Sequence, residues 1–157
     1  MRGWLPASEA GMPDPGRILV DGDACPARAL ILREAGDLPV LWFSTADHAP
    51  PAGAVWIEAP SGPDATDHIL FAHTRPGDLV ITQDYGLAAL CLARAAWVLH
   101  PEGWRYRPET IDALLQERYL AARTRRAGGR TRGPRARDAG NDRALCDAMR
   151  EWRAVQN

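Results

Sequence analysis

Apolar residues fall in short runs parted by polar, glycine- and proline-rich turns, and the runs alternate between strand-like and helix-like spacing. Residues 17–21, with Ile18-Leu19-Val20 at their centre, read as a first buried strand. Pro26 suits the first turn of a helix, which Ala27, Leu30, Ile31 and Ala35 continue to Gly36. Residues 38–43 form a second, wholly apolar run, as in a strand covered on both faces. A loop with two prolines precedes a third strand at 54–57. Ser61-Gly62-Pro63-Asp64 opens a helix over 65–74, and Gly77-Asp78 turns into a strand at 79–82. A helix over 87–94 and a short strand at 96–99 lead to the turn His100-Pro101-Glu102-Gly103. This alternation predicts an α/β fold, a three-layer Rossmann-like sandwich around a mainly parallel central sheet.

Beyond Pro108 the pattern changes. Ile111, Leu114, Leu115, Tyr119 and Ala122 make an apolar stripe at helical spacing. The stretch from Arg118 to Arg137 holds eight Arg and no acid, with Gly128, Gly129, Gly133 and Pro134 among them. It is expected to leave the helix as a mobile basic segment, at about 123–140, before a closing helix over 138–155. Residues 1–16, rich in Pro and Gly, are expected to be a flexible leader, and 17–157 a single domain.

Composition narrows the class. A chain of 157 residues, 46% hydrophobic and 25% charged, is a globular protein with enough length for its own core. No apolar run is long enough for a simple membrane span, and the first residues lack a signal-peptide core. Cys25, Cys91 and Cys146 are odd in number and far apart, which argues against a disulfide framework and for a reducing, cytoplasmic setting. The charge is unevenly placed. Residues 1–104 carry 6 Arg against 13 acids, or −7, and residues 105–157 carry 13 Arg against 7 acids, or +6. There is no lysine, so every fixed cation is a guanidinium, a group suited to bidentate phosphate contact.

The candidate chemistry lies at strand ends. Asp21 and Asp23 follow the first strand, and Asp84 follows the strand at 79–82. In open α/β sheets ligands bind beyond the carboxyl ends of the strands. Asp64 and Asp67, three apart, share one face of a helix start. If these strands are neighbours, Asp21, Asp23, Asp64, Asp67 and Asp84 converge as hard oxygen ligands for Mg²⁺ or Mn²⁺. Asp21, Asp23 and Asp84 are the catalytic candidates, since a held metal can activate water for phosphodiester cleavage. Plainer readings stand beside this one. Asp23, Asp64 and Asp84 each precede a helix and can cap it, and Asp78 is expected to be a turn residue. Cys25 reads as a small packing residue, and His68, beside Asp67, is a candidate ligand or substrate contact. Arg123, Arg125, Arg126, Arg130, Arg132, Arg135 and Arg137 are the nucleic-acid-binding candidates, with RNA the expected partner.

The blocks Val20 to Pro26 (V-D-x-D-A-C-P), Gly62 to Asp67 (G-x-D-x-x-D) and Gly77 to Ala88 (G-D-L-V-I-T-x-D-x-x-L-A) resemble those of the bacterial YaiI/YqxD family. The turn at His100–Gly103, Thr131-Arg132-Gly133-Pro134 and Asp142-Arg143 extend the resemblance across residues 17–155. It implies a fold similar to PIN-domain nucleases. It also implies a metal-dependent site at Asp21, Asp23, Asp64, Asp67 and Asp84, with Thr82 in support. Departures are Gly22 for the usual Ala, His68 for Asn, Arg132 for Gly and Cys146 for an aromatic residue. Two alternatives stay open. One is an RNA-binding protein without catalysis. The other is a haloacid-dehalogenase-like phosphatase with Asp21 as nucleophile and Asp23 as general acid, which would lack the usual lysine.

Overall fold

The computed structural model of the protein describes residues 16–131 and 135–156. In chain order its elements are β1 (Ile18–Asp21), α1 (Arg28–Ala35), β2 (Val40–Ser44), β3 (Val55–Glu58), α2 (Ala65–His73) and β4 (Leu79–Ile81). They continue with α3 (Tyr85–Ala93), β5 (Trp97–Leu99), β6 (Arg105–Tyr106), α4 (Ile111–Arg126) and α5 (Ala139–Gln156). The strands form one sheet in the order β3-β2-β1-β4-β5-β6. All pairings are parallel except β5 with β6. The fold is thus the expected α/β sandwich, with a mostly parallel sheet between helical layers.

Alternation along the strands divides the core in two. Ile18, Val20, Leu79 and Ile81 face the layer where Ile31 of α1 packs with Leu145, Met149 and Trp152 of α5. Leu19, Val80 and Val98 face the other, against Leu70 of α2, Leu87 and Cys91 of α3 and Ile111 of α4. Asp21 follows Leu19 by two residues, so it belongs to the α2 face. The sheet was built outward in two directions, β1 to β2 to β3 and β4 to β5 to β6. Its switch point therefore lies between β1 and β4.

Several elements differ from the sequence reading. Pro26 precedes α1, whose N-cap is Ala27, and residues 22–24 make a short 3-10 turn. Asp23 therefore does not cap α1. The two-residue strand β6 carries no pattern of its own and forms because the tight turn at His100–Gly103 folds the chain back on β5. The larger change is in α4. The Arg-rich stretch, expected to leave the helix at about residue 123, stays helical to Arg126. Arg is a good helix former, and Arg123, Arg125 and Arg126 lie in the last turn, where cations complement the helix dipole. Gly128, at φ +85°, ends the run. Arg132, with Gly133 and Pro134, lies outside the described residues, as does the expected leader up to residue 15.

Asp78 is not merely a turn residue. Its carboxylate is buried and accepts bonds from Arg17 at 2.7 and 3.1 Å and from the Arg75 amide at 2.8 Å. Arg17 also reaches the His73 carbonyl, at 2.7 Å, so one buried ion pair joins the start of β1, the end of α2 and the start of β4.

Candidate functional site

At the switch point, β1 ends in Asp21 and β4 runs on into Thr82 and Asp84. The Thr82 hydroxyl donates to Asp21 Oδ2 at 2.9 Å and accepts the Asp84 amide at 3.0 Å, tying the two strand ends together. Asp84 is the N-cap of α3 and accepts the Leu87 amide at 3.0 Å. Its capping role is real, and the same Oδ1 also accepts Arg118 of α4 at 3.2 Å. From the α2 face, Asp67 in the first turn of that helix meets this group.

The electrostatics separate these acids. Burial pushes the Asp21 carboxyl up to about 6 against the pull of the Thr82 hydroxyl, with Asp23 and Asp84 adding repulsion. Asp67 is pushed up to about 7, first by burial, then by the charges of Asp84 and Asp21 and a hydrogen bond with Asp84. Each of these influences favours the protonated form of Asp67. Among the described residues, no three His, Cys, Asp or Glu side chains stand together as a ready metal cage.

Asp23 is placed differently from its neighbour. Its Oδ1 accepts the Thr45 amide at 2.9 Å and hydroxyl at 3.1 Å and lies 3.2 Å from His48 Nδ1, while Oδ2 accepts the Thr66 hydroxyl at 2.7 Å. Burial opposes ionisation here too, but the hydrogen bonds from Thr66, Thr45 and His48 outweigh it and hold the carboxyl below the usual range. Asp23 serves as a clamp joining the β1 end, the loop after β2 and α2.

Asp64 is exposed at the N-cap of α2, in left-handed conformation (φ 61°), and makes no side-chain cap bond. It adds only the smallest of the charges felt by Asp67. His68 is exposed on α2. The sequence thus named all three members of the central group, Asp21, Asp67 and Asp84, but not their cation, Arg118. Nothing in the chain's pattern marks Arg118 apart from the other arginines.

The remaining cations are dispersed. Arg123, Arg125, Arg126 and Arg130 are exposed on or just after α4, and Arg125 donates to the Thr131 hydroxyl at 3.2 Å. Arg135 is exposed too. Arg137 is instead anchored, donating to the Pro101 carbonyl at 2.6 Å and to Asp142 at 3.0 Å. Cys25 is half-buried, and burial pushes its thiol up to about 11, which disfavours the thiolate at neutral pH.

Comparison with known proteins points one way. The family model described as "Uncharacterized BCR, YaiI/YqxD family" matches residues 19–154. A UPF0178 protein of Bacillus thuringiensis is 42% identical over 142 residues, 85% of this chain and 97% of that one. Another, from Bacillus cereus, is 43% identical over 138 residues, 82% of this chain and 94% of its own length. A third, from Bacillus mycoides, is 42% identical over 125 residues, 76% of this chain and 86% of the relative. No solved structure matches the chain. No helix among the described residues is long and apolar enough to cross a membrane.

Proposed function

The chain belongs to the YaiI/YqxD family, and from that footing we propose that it is a divalent-metal-dependent phosphodiesterase of PIN-like type acting on RNA. One observation carries the reading. Asp21, Asp67 and Asp84 lie near one another at the sheet's switch point without forming a ready cage, and burial with mutual repulsion raises Asp21 to about 6 and Asp67 to about 7 from the ordinary 3.8. Ligands of open α/β sheets bind at such a point, and strongly perturbed carboxylates in one place favour a functional role over a structural one. The donor set is all carboxylate oxygen, which suits a hard dication, and a dication would relieve the mutual repulsion of these acids.

Asp21, Asp67 and Asp84 are the residues that would hold Mg²⁺ or Mn²⁺, with Asp64 at the rim. When bound, such an ion supplies an activated water and charge neutralisation for phosphodiester cleavage. The chain's own contributions follow from the contacts above. Thr82 orients Asp21, the α3 amide of Leu87 fixes Asp84, and the Asp23 clamp holds the β1 end against α2. The arginines of α4 offset the repulsion between this edge and a phosphate backbone. Asp23 counts against the phosphatase alternative, because a general acid must carry a proton and its carboxyl is held ionised.

The test pairs binding with turnover. Calorimetry with Mn²⁺ should show binding by wild type and none by Asp21→Asn/Asp84→Asn. Single-stranded RNA should be cleaved in Mn²⁺ by wild type and not by Asp21→Asn. Equal Mn²⁺ binding by both proteins would remove the acidic edge as a metal site. RNA bound tightly but never cleaved, with or without metal, would leave a binding protein.

A further inference from the structure

Beside the acidic edge, where α4 passes the start of α3, lies an open cleft of about 350 Å³. Arg118 and Arg125 line it from α4, seven residues and two turns apart, so both project from one helix face. Glu117, just before Arg118, also lines it, as do Ala121, Gln83, Tyr85 and His100. The wall that Tyr85 and His100 make is rigid. His100 stacks on Trp104 with ring centroids 4.6 Å apart, and Tyr85 meets Trp104 and Tyr106 edge-on at 6.1 and 5.7 Å.

The polar groups are set for a particular kind of guest. His100 Nδ1 accepts the Glu102 amide at 3.0 Å, which leaves Nε2 to carry the hydrogen as a donor. Burial lowers the His100 pKa, keeping the ring neutral at pH 7. The two guanidinia have only light engagements. Arg118 is held by Asp84 and Arg125 by the Thr131 hydroxyl, both at 3.2 Å. Two exposed guanidinia on one face suit a phosphate. The volume exceeds what a phosphate alone needs and falls at the small end of small-molecule sites.

We propose that this cleft is a nucleotide subsite, taking a phosphate on Arg118 and Arg125 and the attached base against the Tyr85 and His100 wall. Binding there exchanges Arg118 from Asp84 to the phosphate, so that the acidic edge loses its neutralising cation only when a strand is in place. The inference rests on the nuclease reading for the identity of that guest as part of a nucleic acid.

The test uses the full chain in EDTA, where no metal-dependent cleavage occurs. Adenosine 5′-monophosphate, adenosine and inorganic phosphate are titrated by calorimetry. The monophosphate should bind at least about tenfold more tightly than either of the others. Arg118→Ala and Arg125→Ala should each weaken it about tenfold and leave adenosine unchanged. Asp84→Asn, by releasing Arg118, should strengthen it severalfold, and Arg143→Ala, on the exposed face of α5, should change nothing. A monophosphate no tighter than inorganic phosphate would overturn the base subsite. Unchanged binding in both α4 variants would overturn the cleft itself. Because no metal is present, either failure leaves the cleavage assay above to be judged separately, and loss of cleavage there leaves nucleotide binding intact.

Discussion

Asp21 and Asp23 look interchangeable in the sequence, yet their surroundings drive them apart. Asp21 was legible, because a charge that directly ends a buried strand has few structural uses. The role of Asp23 was not, because its partners Thr45 and Thr66 arrive from two other elements and no local pattern announces them. The contrast has a measurable sign. A carboxyl raised to about 6 in the folded state, against 3.8 unfolded, binds its proton more tightly when folded. Its stability contribution is therefore full below the unfolded value and lost as pH rises through the folded one. In EDTA, Asp21→Asn should raise the stability of the protein at about pH 8 by on the order of 1–3 kcal/mol, with the gain gone near pH 4. Added Mn²⁺ should reverse the ranking. Thermal melts at both pH values decide it, and a variant equally destabilised at each would show that Asp21 is held by contacts rather than strained by charge. Gly22 is a second residue-scale case. A Cβ there would stand 2.1 Å from Nε1 of Trp42, whose ring is fully buried. The glycine thus answers to a large neighbour on β2. Gly22→Ala should cost about 1–3 kcal/mol, and Trp42→Phe in the same chain should return part of it, a coupling that urea melts of the four proteins would expose.

Among elements, the strands were the most legible, since continuous apolar runs between turn residues leave few other readings. Their ends, and the helix that ought to have stopped, were not. The glycines and like charges of the basic stretch point to an end near residue 123, whereas Arg propensity and the dipole carry α4 one turn further, to Arg126. Asp78 shows the same limit. Beside Gly77 it has the look of a turn residue, and only the sheet order reveals that β1 and β4 are neighbours and that Arg17 lies across from it. Both side chains are almost wholly buried, so removing one strands the other's charge. Asp78→Ala should destabilise by about 3–5 kcal/mol, whereas a surface pair such as Glu34 with Arg150 should change stability far less when broken. A comparison of urea midpoints for the two deletions tests this, and similar small losses in both would mean that water reaches the Arg17 guanidinium.

At the scale of the whole molecule, the charge split seen along the chain becomes a spatial arrangement. The acidic part supplies the switch point, and the helix that begins the basic part lays Arg118 against Asp84. Opposite signs that are far apart in sequence are thus adjacent at one edge. That placement sets how binding should depend on salt. On the proposed reading, RNA contacts exposed guanidinia on and after α4, each releasing counterions from the strand. A slope of about −0.7 per neutralised phosphate is expected for single strands. Replacing Arg125 and Arg126 by Gln should therefore lower the slope of log K against log salt by about 1.4, and weaken binding alike for all sequences. Arg137→Gln should act otherwise. Its guanidinium is spent on Asp142 and the Pro101 carbonyl, so its loss should reduce stability and leave the slope unchanged. Anisotropy of a labelled single-stranded oligonucleotide in EDTA, from low to moderate salt, separates the two variants. If the Arg125/Arg126 change leaves the slope as it was, the basic face of α4 does not meet a phosphate backbone. Its charge would then serve to balance the acidic edge within the protein itself.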